Sequence, residues 1–216
     1  MIADDLKKSI LQICFNGKLS STLENDTEVH KSLEKIRIQK NELLKNYNVR
    51  NEPEYKAILE NEKLFTIPKT WTWLRIGQLG VFKKGPFGSA LTKGMFVKKS
   101  SEAIKVYEQK NAIQKDANIG EYYITRGYFE SKMKGFEVKT GDIIVSCAGT
   151  IGETFVIPEN HEIGIINQAL MKMTMVKELN ISYFLLYFDF ILKKMSNSLS
   201  SGSAIKNIPP FEIFKQ

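Results

Sequence analysis

The sequence has few of the residues that build cross-linked or metal-binding sites. It contains two cysteines and two histidines in 216 residues. Cys14 and Cys147 both lie among apolar neighbours, which predicts two separate buried thiols rather than a disulfide. Because His30 and His161 are widely spaced, we expect neither a zinc site nor a Ser-His-Asp set.

Long apolar segments are also missing. The N-terminus reads Met-Ile-Ala-Asp-Asp and lacks the apolar stretch of a signal peptide. The longest apolar run, Tyr183–Leu192, is too short to cross a bilayer and contains Asp189. These absences predict a cytoplasmic protein that has no membrane partner.

The motifs of nucleotide-binding and catalytic sites are absent too. No Gly-x-Gly-x-x-Gly or Walker sequence is present. The glycine-containing stretch 148–152 joins two predicted strands, and no helix follows it to complete a phosphate site. Asp142 and Glu153 could face each other as a carboxylate pair, but a turn-capping Asp and a surface Glu explain them better. The sequence therefore predicts a non-catalytic binding protein with no catalytic residue, metal ligand or cofactor of its own.

The chain does have an excess of positive charge, and that excess lies in one place. The formal net charge is +7. Residues 81–140 contain 12 Lys and Arg against 6 Asp and Glu, a balance of +6, whereas the balance is +2 before them and −1 after them. A concentrated basic block is typical of proteins that bind phosphate-rich partners such as nucleic acid. A solvated lysine-rich surface is the alternative.

The chain from residue 65 onward is predicted to form a β-rich domain organised around one hairpin. The β-branched run Ile143-Ile144-Val145 predicts a buried strand over 142–147. A turn with two glycines and a return strand that ends before Pro158 complete the hairpin. Other strands are expected over 104–107, 122–124, 163–166 and 170–176, with a strand lead-in over 71–77, a short helix over 125–134 and a buried helix over 183–195.

The first 48 residues are predicted to be helical. Apolar residues share one face of a helix over 4–15, and Gly17 suits a left-handed cap after it. A second helix, about 28–46, carries a heptad seam that Lys40 interrupts. The seam suits packing within the chain or a partner surface. The expected fold class is α+β: a helical assembly segment (1–48), a polar linker (49–64) and a β-rich mixed domain (65–216) with a buried C-terminal helix.

A series of short segments, in a characteristic order and spacing, carries a family resemblance over nearly the whole chain. The segments are Leu6–Gln12 with Asn16–Leu19, Leu33–Arg37 with Lys40, Ile67–Trp73 with Ile76-Gly77, Gly85–Ser89, Gly141–Val145 with Gly149–Gly152, Ile166–Leu170, and Gly202–Pro209. The chain thereby resembles the DNA-specificity (S) subunits of type I restriction–modification enzymes.

This resemblance implies a subunit that recognises DNA and performs no chemistry. In the family, two target-recognition domains are held apart by antiparallel spacer helices, and each reads one half of a split site. An adenine methyltransferase (M) subunit uses S-adenosylmethionine, and a restriction (R) subunit uses ATP and Mg. The present chain has room for one recognition domain, so it resembles a half or truncated subunit. A homodimer through the helical segment would be one way to assemble it, and a module that docks a methyltransferase but binds little DNA is the alternative.

The reading loops differ among family members, so the candidate DNA contacts follow from side-chain chemistry. Gln and Asn can bond adenine twice, and Lys can reach guanine or phosphate. The expected phosphate contacts are Lys83, Lys84, Lys93, Lys98 and Lys99. The expected base contacts are Tyr107, Gln109, Lys110, Asn111 and Gln114, and Ser89 and Thr150 would position the backbone. Replacement of Asn111 is expected to change sequence preference.

Overall fold

The computed structural model describes residues 2–19, 28–50, 52 and 54–199. Contacts divide the described chain into two compact units. Residues before Gly80 form the first unit with those after Met175, and Gly80–Met175 form the second. The predicted boundaries at residues 48 and 64 stay a prediction, and the last segment of the resemblance, Gly202–Pro209, lies outside the described residues.

The helices and strands confirm the α+β class. The helices are α1 (Ile2–Phe15), α2 (Val29–Asn46), α3 (Gln109–Gln114), α4 (Arg126–Tyr128) and α5 (Ile181–Leu199), and a π-helical turn (Phe129–Met133) extends α4. The strands are β1 (Gly80–Lys84), β2 (Ala103–Tyr107), β3 (Tyr123–Thr125), β4 (Ile143–Ser146), β5 (Thr154–Val156), β6 (Gly164–Ile166) and β7 (Leu170–Met175).

The second unit contains two sheets. The larger has the order β1-β7-β4-β5 and is antiparallel throughout. The smaller has the order β3-β2-β6, in which β2 pairs antiparallel with β3 and parallel with β6. The predicted hairpin is confirmed as β4 and β5, which pair Ile143 with Val156. Gly149 and Gly152 in its turn have φ of 65° and 84°, conformations that glycine adopts without strain.

Apolar side chains pack on both faces of the smaller sheet. One cluster joins it to the larger sheet and to α3, and a second packs the opposite face against the helical segment after β3. The first cluster contains Tyr107, Ala112, Ala117, Val138, Ile144, Ile157, Ile166 and Leu170. The second contains Leu91, Ile104, Val106, Ile124, Phe129, Met133 and Ile165.

Asp142 is a turn cap, as the sequence predicted, and it also pairs with a buried lysine. Its Oδ2 accepts a hydrogen bond from the backbone N–H of Lys139 at 2.8 Å and lies 3.3 Å from Lys172 Nζ. Burial lowers the pKa of Lys172, and Asp142 opposes that shift. Glu153 instead binds Lys115 at 2.7 Å on the surface. These two carboxylates therefore do not form a pair.

In the first unit, the two terminal helices meet through aromatic side chains. Phe15 at the end of α1 is 1% exposed, and its ring lies 5.1 Å from the rings of Tyr187 and Phe190 on α5. The amide oxygen of Asn180 accepts the Tyr183 N–H at 3.0 Å and so caps the start of α5. Along α2, Lys40 interrupts the seam as predicted. Its side chain is buried, and its Nζ binds the carboxylate of Glu52 at 2.9 Å, which compensates the buried charge.

The predicted strand lead-in over 71–77 is wrong. No strand forms there, and a 3₁₀ helix, Ile76–Leu79, follows. The physical reason is a tertiary contact. Arg75 is buried and its guanidinium binds both carboxylate oxygens of Glu62 at 2.8 Å, the Lys56 carbonyl at 3.2 Å and the Ala57 carbonyl at 3.1 Å. These bonds hold the polar segment before residue 65 against the Arg75 segment of the first unit.

Candidate nucleic-acid interface

Four connections of the second unit come together at one edge, which we call the loop edge. They are the segment 85–89 after β1, the first turn of α3, the turn 148–152 between β4 and β5, and the turn 167–169 between β6 and β7. Each belongs to a different part of the chain, so the loop edge exists only in the folded unit.

Backbone hydrogen bonds hold these connections together. Gly85 N donates to Leu170 O at 2.9 Å, and Cys147 N donates to Ala169 O at 2.9 Å. Asn167 N donates to Tyr107 O at 3.0 Å, which ties the β6–β7 turn to the end of β2. Several side chains of these connections are exposed, among them Phe87, Ser89, Thr150 and Gln168.

Gly85 is required by close packing at this edge. A Cβ atom built on Gly85 would lie 1.8 Å from the carbonyl oxygen of Asn167, far inside van der Waals contact. The same construction at Gly88, three residues on, meets nothing within 4 Å. The segment therefore begins with a fixed residue and continues into open space, where Phe87 is 90% exposed.

The sequence-predicted lysines fall into two groups. Lys83, Lys84, Lys93 and Lys98 are exposed, and no carboxylate among the described residues forms an ion pair with them. Lys99 binds Glu162 at 2.8 Å, and this hydrogen bond raises the pKa of Lys99. Lys110 binds Glu108 at 3.0 Å. Unpaired lysines can meet a phosphate without first giving up a partner, so the first four lysines are the stronger candidates.

Lys83 and Lys99 also contact aromatic rings. Lys83 Nζ lies 4.9 Å from the ring centroid of Phe136, and Lys99 Nζ lies 5.5 Å from that of Tyr123. Lys99 and its partner Glu162 lie near the first residue of β6, whereas the loop edge lies beyond the last residue of β6. The structure thus separates Lys99 from Lys84.

Two of the expected base-contacting residues are buried, and we revise their role. Asn111 is 0% exposed; its Oδ1 accepts from Glu108 N at 2.8 Å, and its Nδ2 donates to Asp116 O and Ile119 O at 2.9 Å each. Tyr107 is also 0% exposed and donates to a backbone carbonyl. Since neither side chain reaches solvent, they shape α3 and the strand before it and are not available to a base edge.

Other members of the predicted set are half-buried or exposed. Gln109 Oε1 accepts the Ala148 N–H at 3.2 Å, which links α3 directly to the glycine turn. Gln114, Ser89 and Thr150 are exposed. Their contacts with DNA stay a prediction.

Sequence reasoning overlooked two exposed residues at this edge. Gln168 lies in the β6–β7 turn next to Asn167 and is exposed, and its amide can read adenine as Gln109 can. Phe87 is the other. A recognisable signal existed for Phe87, because an aromatic residue inside a Gly/Pro loop has no obvious core to join.

No group of three or more His, Cys, Asp or Glu among the described residues is placed to hold a metal ion. Within the same residues, no helix has the length and apolar character needed to cross a membrane.

The chain is similar to proteins of known families. A family profile described as Type I restriction modification DNA specificity domain matches residues 55–212. The chain is 23% identical over 209 residues to the Type I restriction enzyme EcoEI specificity subunit of Escherichia coli, an alignment that covers 92% of this chain and 32% of that protein. It is 33% identical over 82 residues to the EcoAI specificity subunit of Escherichia coli, covering 38% of this chain and 14% of that protein.

Two solved structures are similar. One is a crystal structure of the HsdS subunit from Thermoanaerobacter tengcongensis, with a TM-score of 0.45 and 14% identity over 87% of this chain and 42% of that one. The other comes from a type I restriction–modification system, with a TM-score of 0.47 and 14% identity over 99% of this chain and 47% of that one. The present chain thus spans less than a third of the length of either curated relative.

Proposed function

The chain belongs to the type I restriction modification DNA specificity domain family, and on that premise we propose that it recognises the base sequence of double-stranded DNA. The loop edge would contact the duplex and read one half of a split site. Partner M and R subunits would perform methylation and cleavage, and S-adenosylmethionine, ATP and Mg would belong to those partners.

The observation that carries this proposal is the composition of the loop edge. An exposed amide (Gln168), a half-buried amide (Gln109) and exposed hydroxyls (Ser89 and Thr150) lie on connections that the backbone holds in place. Lys84, which has no ion-pair partner among the described residues, ends the neighbouring edge strand. Amides supply the paired donor and acceptor that base edges require, and lysines supply contacts to phosphate. Side chains on a fixed scaffold lose little entropy on binding, which favours discrimination among sequences.

A salt titration tests this proposal. The full chain is titrated against a fluorescent duplex from a random-sequence pool that it has enriched, and against an unselected duplex, at several salt concentrations. We expect tighter binding to the enriched duplex, and log K should fall linearly with log[salt]. The Lys93→Ala and Lys84→Ala variants should each reduce the steepness of that slope by about 0.9 on both duplexes.

Lys31→Ala is the matched control for these variants. Lys31 is an exposed lysine on α2 in the first unit, its ion pair with Glu28 is a long one (3.6 Å) between two exposed side chains, and its replacement changes the net charge by the same amount. It should leave the slope unchanged. If Lys31→Ala reduced the slope as much as Lys93→Ala, attraction would depend on overall charge and the loop edge would not be the interface. Equal affinity of the wild-type chain for both duplexes would contradict sequence recognition.

A second candidate function is docking of a methyltransferase through the helical segment, or self-association there. The observation that favours it is an apolar stripe on α1: Leu6, Ile10 and Ile13 are 59%, 47% and 40% exposed. These residues recur at helical spacing on one face. Light scattering of the chain alone and with an adenine methyltransferase, for wild type and for Ile10→Ser, would test it. If the stripe has no docking role, wild type and Ile10→Ser should have the same mass alone and should form the complex with the methyltransferase equally well.

A further inference from the structure

Phe87 is the feature of the second unit that the contacts of the loop edge do not explain. It is 90% exposed, the highest value for a large hydrophobic side chain among the described residues. Single exposed apolar residues are common on protein surfaces. Phe87 differs from such residues because the chain on both sides of it is fixed.

The residues around Phe87 hold it in position. Gly85 is bonded to Leu170 O, and Pro86, which has a fixed φ, is buried. After Phe87 the chain turns, because Ala90 N donates to Phe87 O at 2.8 Å. The Tyr128 hydroxyl donates to Ala90 O at 2.8 Å, and Leu91 is buried in the second apolar cluster. The ring is therefore presented at the tip of an anchored turn.

The surroundings of the ring suit a nucleic acid better than a protein. A protein-binding aromatic normally lies in a contiguous apolar patch that excludes water. Here the next residues, Gly88, Ser89 and Thr92, are exposed and either small or polar, and Lys93 follows without an ion-pair partner among the described residues. An exposed ring in a segment that also carries Lys84 and Lys93, neither of which has an ion-pair partner among the described residues, matches a duplex, in which phosphates flank a stack of apolar base faces.

We propose that Phe87 contacts the base stack of the bound duplex. Its ring either inserts between two stacked bases or stacks on a base that has left the base stack. This inference rests on the proposed function, since it assigns a contact within the same DNA interface. Lys84 and Lys93 hold the phosphates, the amides read base edges, and Phe87 separates or caps one base step. Steps that unstack at low cost, such as pyrimidine–purine steps, would then be preferred at that position even though no hydrogen bond reads them.

The test combines affinity with the fluorescence of 2-aminopurine, which rises when this base analogue leaves the stack. The full chain is mixed with its enriched duplex, in which 2-aminopurine replaces one adenine at a time. We expect a fluorescence rise at one position for wild type and no rise for Phe87→Ala. Affinity should fall about tenfold or more for Phe87→Ala, because an aromatic side chain that stacks on a base contributes on this scale. Phe87→Trp, which retains a ring, should restore both signals.

The salt dependence separates stacking from charge. Phe87 is neutral, so its removal should lower affinity by the same factor at every salt concentration and leave the slope unchanged. Ile163→Ala is the matched control, because Ile163 is also a large apolar side chain, 51% exposed, and it lies just before β6 rather than at its end. It should bind as wild type does.

The outcomes are distinguishable. Wild-type chain that binds no duplex would overturn the proposed function and this inference with it. Sequence-selective binding that Phe87→Ala leaves intact, without a fluorescence rise at any position, would overturn this inference alone. Phe87→Ala that binds DNA normally but loses its complex with an adenine methyltransferase would assign the ring to a protein contact, which also overturns the inference.

Discussion

Replacement of Asn111 tests whether this residue of α3 stabilises the fold or contacts DNA. Its amide makes three hydrogen bonds of 2.8–2.9 Å in a site that is 0% exposed. Each such bond contributes about 1 kcal/mol net, and partners left buried without one cost about 1–3 kcal/mol each. Asn111→Ala should therefore lower the free energy of unfolding of the second unit by about 3 kcal/mol or more. For a unit the size of Gly80–Met175 that corresponds to a fall in its Tm of about 12–24 °C.

Backbone amide hydrogen exchange in the strands of the second unit, followed across a urea titration, measures this loss, because the long helices that dominate far-UV circular dichroism lie in the first unit. Tryptophan fluorescence monitors the first unit separately, because Trp71 and Trp73 both lie there. Gln114→Ala is the control: Gln114 is exposed on the same helix, and its replacement should change the free energy by less than about 0.5 kcal/mol. If Asn111→Ala were as stable as this control and instead altered which duplex is bound, the buried placement would be refuted and the earlier expectation of base reading would be restored.

Two further predictions concern the loop edge and the first unit. Gly85→Ala should destabilise the second unit by more than about 2 kcal/mol or abolish DNA binding, because its Cβ would lie 1.8 Å from Asn167 O. Gly88→Ala is the control and should leave urea unfolding unchanged. Equal effects of the two substitutions on unfolding would refute the close approach at Gly85. Glu62 has its pKa lowered to about 2, first by its hydrogen bond to Arg75. A folded-state pKa below the unfolded one gives stability that is present above about pH 4.5 and lost as pH falls toward 2, so wild type should lose more stability than Glu62→Gln across that window. Parallel pH profiles for the two proteins would contradict the pairing.

The hairpin could be predicted from the sequence because its signals are local. The β-branched run before Cys147 and the glycines after it act within one short stretch, and the structure confirms both strands. The burial of Asn111 could not be predicted in this way. Its partners Asp116 O and Ile119 O reach it only after the chain reverses beyond α3, so a polar stretch looked like surface.

The lysines illustrate the same limit for charge. Lys84 and Lys99 look alike in sequence, but Lys99 is paired with Glu162, a residue far along the chain that the parallel pairing of β2 and β6 brings near. The segment 71–77 was predicted as a strand lead-in, but the contacts of Arg75 determine the local backbone. In each case a long-range partner overrode the local pattern.

The central claim is that this chain discriminates among DNA sequences through the loop edge of its second unit. The most direct measurement is selection from a random-sequence duplex pool by the full chain, with the bound fraction sequenced after each round. We predict that wild type enriches one short motif and that Gln109→Ala or Gln168→Ala relaxes the preference at one position of that motif. A wild-type chain that leaves the pool unenriched, or variants that enrich the motif unchanged, would contradict the account.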